Sequence, residues 1–153
     1  MGNVHHAFQV QHIDHVELFV PDFEAALAWY REVLGLAPVE MARSWAEAGE
    51  PHMISSDGGT TMLALFRGEG PGERELFGHQ RVAFRVDARG FMDFLDHIEQ
   101  VDVENRHGEP LTRAQVVDHD LAWSIYFRDP WGNPYEITSY DYDEIRAALT
   151  NGA

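Results

Sequence analysis

From His12 onward the chain alternates between two hydrophobic rhythms. In HVELFV, His15 to Val20, the apolar residues Val16, Leu18 and Val20 fall on one face and His15, Glu17 and Phe19 on the other, the period of two that a half-buried strand requires. The following stretch, PDFEAALAWYREVLG, changes to helical spacing. Phe23, Leu27, Tyr30 and Leu34 make an apolar stripe, Asp22 is placed to accept from the free N–H groups of the first turn, and Gly35 supplies a stop. Three strand-like segments come next, near Ala37 to Ala42, His52 to Ser55 and Thr60 to Phe66, with SDGG as the turn before the last.

The same order then returns. RVAFRV, Arg81 to Val86, reads as a strand, and FMDFLDHIEQV has helical spacing at Phe91, Leu95 and Ile98. SIYFRD and PYEITSY are strands joined by DPWGN, a weaker strand is expected near Ala114 to Val117, and YDYDEIRAALTNGA closes with a short helix. SDGGTTMLAL in the first half corresponds in position to RDPWGNPYEI in the second, so the chain is an internal repeat of strand, helix and three strands. The predicted fold is α+β: two tandem βαβββ modules, residues 12–66 and 79–140, forming a curved mixed sheet around a concave trough, with a Gly-rich charged linker at 67–78. Residues Met1 to Gln11 show no sustained period and are expected to be a loose leader.

Composition narrows the function classes. The 153 residues, 44% hydrophobic, are enough for one compact domain. There is no cysteine, so any metal must be held by nitrogen and oxygen, and thiolate nucleophiles are excluded. Against 26 acidic residues stand 11 basic ones, every one an arginine, for a net charge of -15. Such a surface repels phosphate backbones and anionic lipid, so neither nucleic acid nor membrane is an expected partner. No apolar run reaches the roughly 18 residues of a membrane span, and the start of the chain lacks a signal-peptide pattern. A cytoplasmic location is expected.

The stretches HIDHVELFVPDFEAALAWYREVLGL and IYFRDPWGNPYEI, in this repeat, resemble the vicinal oxygen chelate superfamily, which groups glyoxalases, bleomycin resistance proteins, fosfomycin resistance enzymes and extradiol dioxygenases. Within it, VDHDLAWSIYFRDPWGNPYE is similar to the local signature of extradiol ring-cleaving dioxygenases: His119, Ile125, Tyr126, Asp129, Pro130, Gly132 and Glu136 fill its positions in order. The resemblance implies a metal-dependent enzyme acting on a small catecholic or vicinal-oxygen substrate, with His119 moving protons and Tyr126 holding a substrate oxygen. It implies His15 and Glu136 as metal ligands, a divalent cofactor with Fe(II) favoured over Mn, Zn or Ni, and a homodimer.

The second histidine of a two-histidine, one-carboxylate set would stand just before VAF, where this chain has Arg81. A guanidinium has no free lone pair for a cation. His79, two residues earlier on the same face, is a candidate third ligand, displaced by roughly 6–7 Å along a strand, and His119 is another. The alternative is a metal-free binder of small aromatic or drug-like molecules, of the bleomycin-resistance type, in which Arg81 replaces the metal as ion-pair partner of His15 and Glu136. Arg81 and Trp123 are then candidate substrate-binding residues, with the other tryptophans as further lining.

Overall fold

The first strand, β1 (His15–Val20), keeps the alternation of its sequence: Leu18 and Val20 are buried, while His15, Glu17 and Phe19 face outward. This computed structural model describes residues 11–70 and 81–152; His79 and most of the predicted linker lie outside the described residues. Helix α1 (Phe23–Leu34) begins where the Asp22 carboxylate accepts from the Ala25 N–H at 2.8 Å and ends at Gly35, whose φ of 67° is left-handed. A Cβ on Gly35 would meet no atom within 4 Å, so backbone conformation alone asks for glycine there. The buried face of α1 is Ala26, Tyr30 and Val33. The predicted stripe is off-centre, with Phe23, Leu27 and Leu34 half-buried at its margins, because the Tyr30 hydroxyl is tied into the core and sets the helix rotation.

The predicted strand from Ala37 to Ala42 is corrected. Only β2 (Ala37–Pro38) pairs, with β3 (His52–Ser55); from Glu40 the chain makes a 3₁₀ turn and then α2 (Arg43–Glu47). EMARSWAEA is rich in good helix formers, and Arg43 bridges Glu40 at 3.1 Å and Glu47 at 3.2 Å at helical spacings. Val39 and Ala42 also pack on Met53, Met62 and Ala64 of the sheet, a second small core that holds the segment down. With β4 (Met62–Arg67), antiparallel to β3 and parallel to β1, the sheet order is β1-β4-β3-β2.

The second module repeats this path with β5 (Val82–Arg85), α3 (Ala88–His97), β6 (Val117–Asp118), β7 (Trp123–Arg128) and β8 (Pro134–Ser139), in the order β5-β8-β7-β6; α4 (Tyr142–Asn151) follows. The strand expected near Ala114 is instead a 3₁₀ turn, Arg113–Gln115, leading into the two-residue β6. The fold is α+β, two tandem modules each with a four-stranded mixed sheet, and neither sheet closes into a barrel. Both modules feed one hydrophobic core, in which Leu18, Tyr30 and Leu65 of the first meet Phe91, Phe127 and Tyr135 of the second.

Candidate functional site

Pairing register decides which side chains share the sheet faces turned away from that core. In the first module His15 pairs with Met62, Glu17 with Ala64 and Phe19 with Phe66, while Met53 pairs with Ala64. These residues form one surface. The α2 segment overhangs it, and together they enclose a cleft of about 470 Å³ lined by Asp14, His15 and Glu17 on one side, Met41, Trp45 and Glu50 on the other, and Met53, Met62 and Phe66 beneath. Its volume falls in the roughly 300–1,000 Å³ range of small-molecule sites.

His15 is the basic residue of this cleft. Its Nδ1 lies 2.7 Å from Asp14 Oδ2 and its Nε2 3.6 Å from Glu17 Oε1. The Asp14 hydrogen bond raises the imidazole above its ordinary pKa; partial burial opposes this, and Glu17 adds to the rise. Of the two contacts, the one to Asp14 is at hydrogen-bond distance and the one to Glu17 is longer.

The corresponding face of the second module carries a different cluster. Tyr126 pairs in register with Glu136, which pairs with Ala83 on β5. The Arg81 guanidinium lies over the Tyr126 ring at 4.5 Å from its centroid, and Arg106 approaches the same ring at 5.9 Å. His119 Nε2 is 2.7 Å from the Tyr126 hydroxyl. Burial first, and then the Glu136 carboxylate, push the Tyr126 phenol above its usual pKa, while the Ser124 hydroxyl and Arg81 pull it down. Arg81 Nε is buried with no hydrogen-bond partner, so its interaction here is cation on ring.

The structure therefore brings together His119, Tyr126, Glu136 and Arg81 on the second module and leaves His15 on the first, with no hydrogen bond or ion pair joining His15 to Glu136. No ion pair within 4.0 Å links Arg81 to either residue; the guanidinium stacks on Tyr126 instead. Trp123 lies half-buried against Tyr142, stacked at 5.4 Å with its Nε1–H donating to the Tyr142 carbonyl oxygen at 3.0 Å. The Asp-Pro-x-Gly turn has a core role. Asp129 is fully buried, its Oδ1 accepting from the N–H groups of Trp131 at 3.0 Å and Asn133 at 2.8 Å, its Oδ2 from Tyr30 at 2.7 Å and from the Asn133 amide at 2.6 Å.

A family model described as the Glyoxalase/Bleomycin resistance protein/Dioxygenase superfamily matches residues 12–137, most of both modules. The chain belongs to this superfamily. Among solved structures, a glyoxalase/dioxygenase from Nostoc punctiforme is 24% identical, with a TM-score of 0.63 over 85% of this chain and 91% of that one. The fosfomycin resistance protein FosX from Mesorhizobium loti is 18% identical, with a TM-score of 0.61 over 86% of this chain and 93% of that one. The oxidase ChaP-H1 is 22% identical, with a TM-score of 0.59 over 85% of this chain and 96% of that one. At these identities the likeness is one of fold. No curated protein is significantly similar to the chain in sequence.

Divalent metals are common cofactors in this glyoxalase and dioxygenase superfamily. The described residues do not fit a metal ion. No three histidine, aspartate or glutamate side chains among them converge as ligands, and the position of the second histidine holds a guanidinium. Among the described residues, no helix is long and apolar enough to cross a membrane.

Two parts of the site were not visible as such in the sequence. Arg106 lies between the helix α3 and β6 with no periodic pattern around it, and only tertiary folding sets it against Tyr126. The overhang that makes the cleft comes from residues 40–47, of which the strand expected at Ala37 to Ala42 covers only the first three. Its signal was present, in the arginine three residues from Glu40 and four from Glu47.

Proposed function

We propose that the chain is a small-molecule binding member of the superfamily, with the first module's cleft as its ligand site and Arg81 standing in the place of a metal ligand. The cleft carries this reading: it joins an apolar floor to an exposed indole and a few convergent polar groups, the composition of ligand pockets in general. Trp45 is 51% exposed, so its ring is free to meet a ligand. Arg81 supports the metal-free form, because a guanidinium, which has no lone pair for a cation, holds the position of the second histidine and lies over the ring of Tyr126, the register partner of Glu136. We further propose a cytoplasmic homodimer; Phe19, an exposed apolar residue outside the cleft lining, offers surface for a second copy.

A test is metal content by plasma mass spectrometry after anaerobic iron(II) loading and desalting. The wild type is expected to retain far less than one iron per chain, and Arg81→His to retain more. Stoichiometric iron in the wild type, lost in Glu136→Ala, overturns the metal-free reading.

A second reading is favoured by one observation, the 2.7 Å contact between His119 and the Tyr126 hydroxyl. In it the chain is a metal-dependent enzyme like an extradiol dioxygenase, with Fe(II) as the metal. The histidine and tyrosine hold and move a proton at the substrate oxygen. Oxygen uptake with catechol by iron-loaded protein, abolished in His119→Ala, would establish it.

A further inference from the structure

The distribution of charge around the cleft specifies its ligand more narrowly, and the inference rests on reading the cleft as the ligand site. Its floor is soft and apolar, with the thioethers of Met53 and Met62 and the ring of Phe66. Its rim is acidic on both sides, with Asp14 and Glu17 at β1 and Glu50 opposite. Among the described residues no arginine lines it, and the single charge His15 can carry stands against three carboxylates, Asp14, Glu17 and Glu50. Glu50 is oriented by the Arg67 N–H, which donates to its Oε2 at 2.8 Å and leaves Oε1 free of a bond from it.

Carboxylates beside low-dielectric walls attract a cation more strongly than they do in bulk water. The indole face of Trp45 adds to that attraction, since aromatic quadrupoles favour cations over their faces. An anion entering here meets acid from both sides, and a neutral molecule gains only apolar burial. We propose that the cleft binds an amphiphilic organic cation: an aromatic or aliphatic body resting on Met53, Met62, Phe66 and Trp45, carrying a protonated or quaternary amine toward Asp14, Glu17 and Glu50.

The test uses the full chain and three probes that share one body and differ in charge: (1-naphthylmethyl)trimethylammonium, 1-naphthalenemethanol and 1-naphthoate. Binding is followed by the indole ¹⁵N–H resonance of Trp45, assigned with Trp45→Phe. The cation is expected to bind about tenfold or more tighter than the alcohol, a difference of about 1.4 kcal/mol, and the naphthoate most weakly. High salt should shrink the ratio of cation to alcohol affinity, because rim charges are screened. The double variant Asp14→Asn, Glu17→Gln should bring it toward unity; both side chains are exposed at 67% and 63%, so the fold does not depend on them. Equal binding of all three probes with Trp45 shifted leaves the cleft as the ligand site and overturns the charge preference. A ratio that neither salt nor the double variant changes also overturns it. If no probe moves Trp45, the cleft reading itself fails.

Discussion

Tyr30 on α1 and Asp129 in the turn between β7 and β8, ninety-nine residues apart, are joined by a 2.7 Å hydrogen bond inside the core. Tyr30 has one hydroxyl proton and gives it to Asp129, so Tyr135, 2.8 Å away, must donate to the Tyr30 oxygen. The network spans the two modules. Burial raises the Asp129 carboxyl above the usual carboxylate range against four hydrogen bonds that favour its ionised form, and it raises both tyrosines as well.

Asp129→Ala leaves the Tyr30 hydroxyl, the Asn133 amide and two backbone N–H groups of the turn without their acceptor. The expected loss is about 3–5 kcal/mol, by analogy with breaking a buried charged partner. Tyr30→Phe removes one bond to a carboxylate and the acceptor of Tyr135, and should cost about 1.5–3 kcal/mol. Urea unfolding of the three proteins measures both; a Tyr30→Phe protein as stable as wild type would show that the bond contributes nothing net.

The pH dependence of this site has a definite sign. A carboxyl whose folded pKa is raised contributes stability that is present when it is protonated, below its unfolded value, and lost as pH rises through the folded value. The stability difference between wild type and Asp129→Asn should therefore move in favour of the variant as pH rises from about 3. Chemical denaturation at a series of pH values gives the difference, and a flat difference contradicts the raised pKa.

The Tyr126 phenol reports the charges around it. Arg81→Met removes the cation that lowers its pKa and should raise it further, whereas Glu136→Gln removes a carboxylate that raises it and should bring it down. A ¹³Cζ tyrosine NMR titration reads both directions in one resonance. Shifts of the same sign in the two variants would place one of these groups away from the ring.

Gly35→Ala tests the end of α1 without steric complication. The space around the position is open and only the left-handed backbone resists a side chain, so the cost should be about 1 kcal/mol. Thermal unfolding with an unchanged far-ultraviolet spectrum is the check; an equal midpoint would mean that the helix end relaxes freely.

Local pattern by itself determined the module repeat. The alternation of Val16, Leu18 and Val20, the Asp22 cap, the Gly35 stop and the matching turns at SDGG and DPWGN each depend on neighbours a few residues away, and each is found where the sequence placed it. Tertiary structure alone decided the rest. Residues 37–42 had enough apolar content for a strand, and it took the outer sheet face, built from β3 and β4, to make a turn and a short covering helix the better way to bury Val39 and Ala42. The rotation of α1 followed from Tyr30 meeting Asp129 across the core, a contact that periodicity within one helix cannot register. The candidate site divides in the same way. His119, Tyr126 and Glu136 were legible through the resemblance of 117–136 to a dioxygenase signature, a local stretch of 20 residues, whereas Arg106 over Tyr126 and the cleft under Trp45 depend on how separate elements pack.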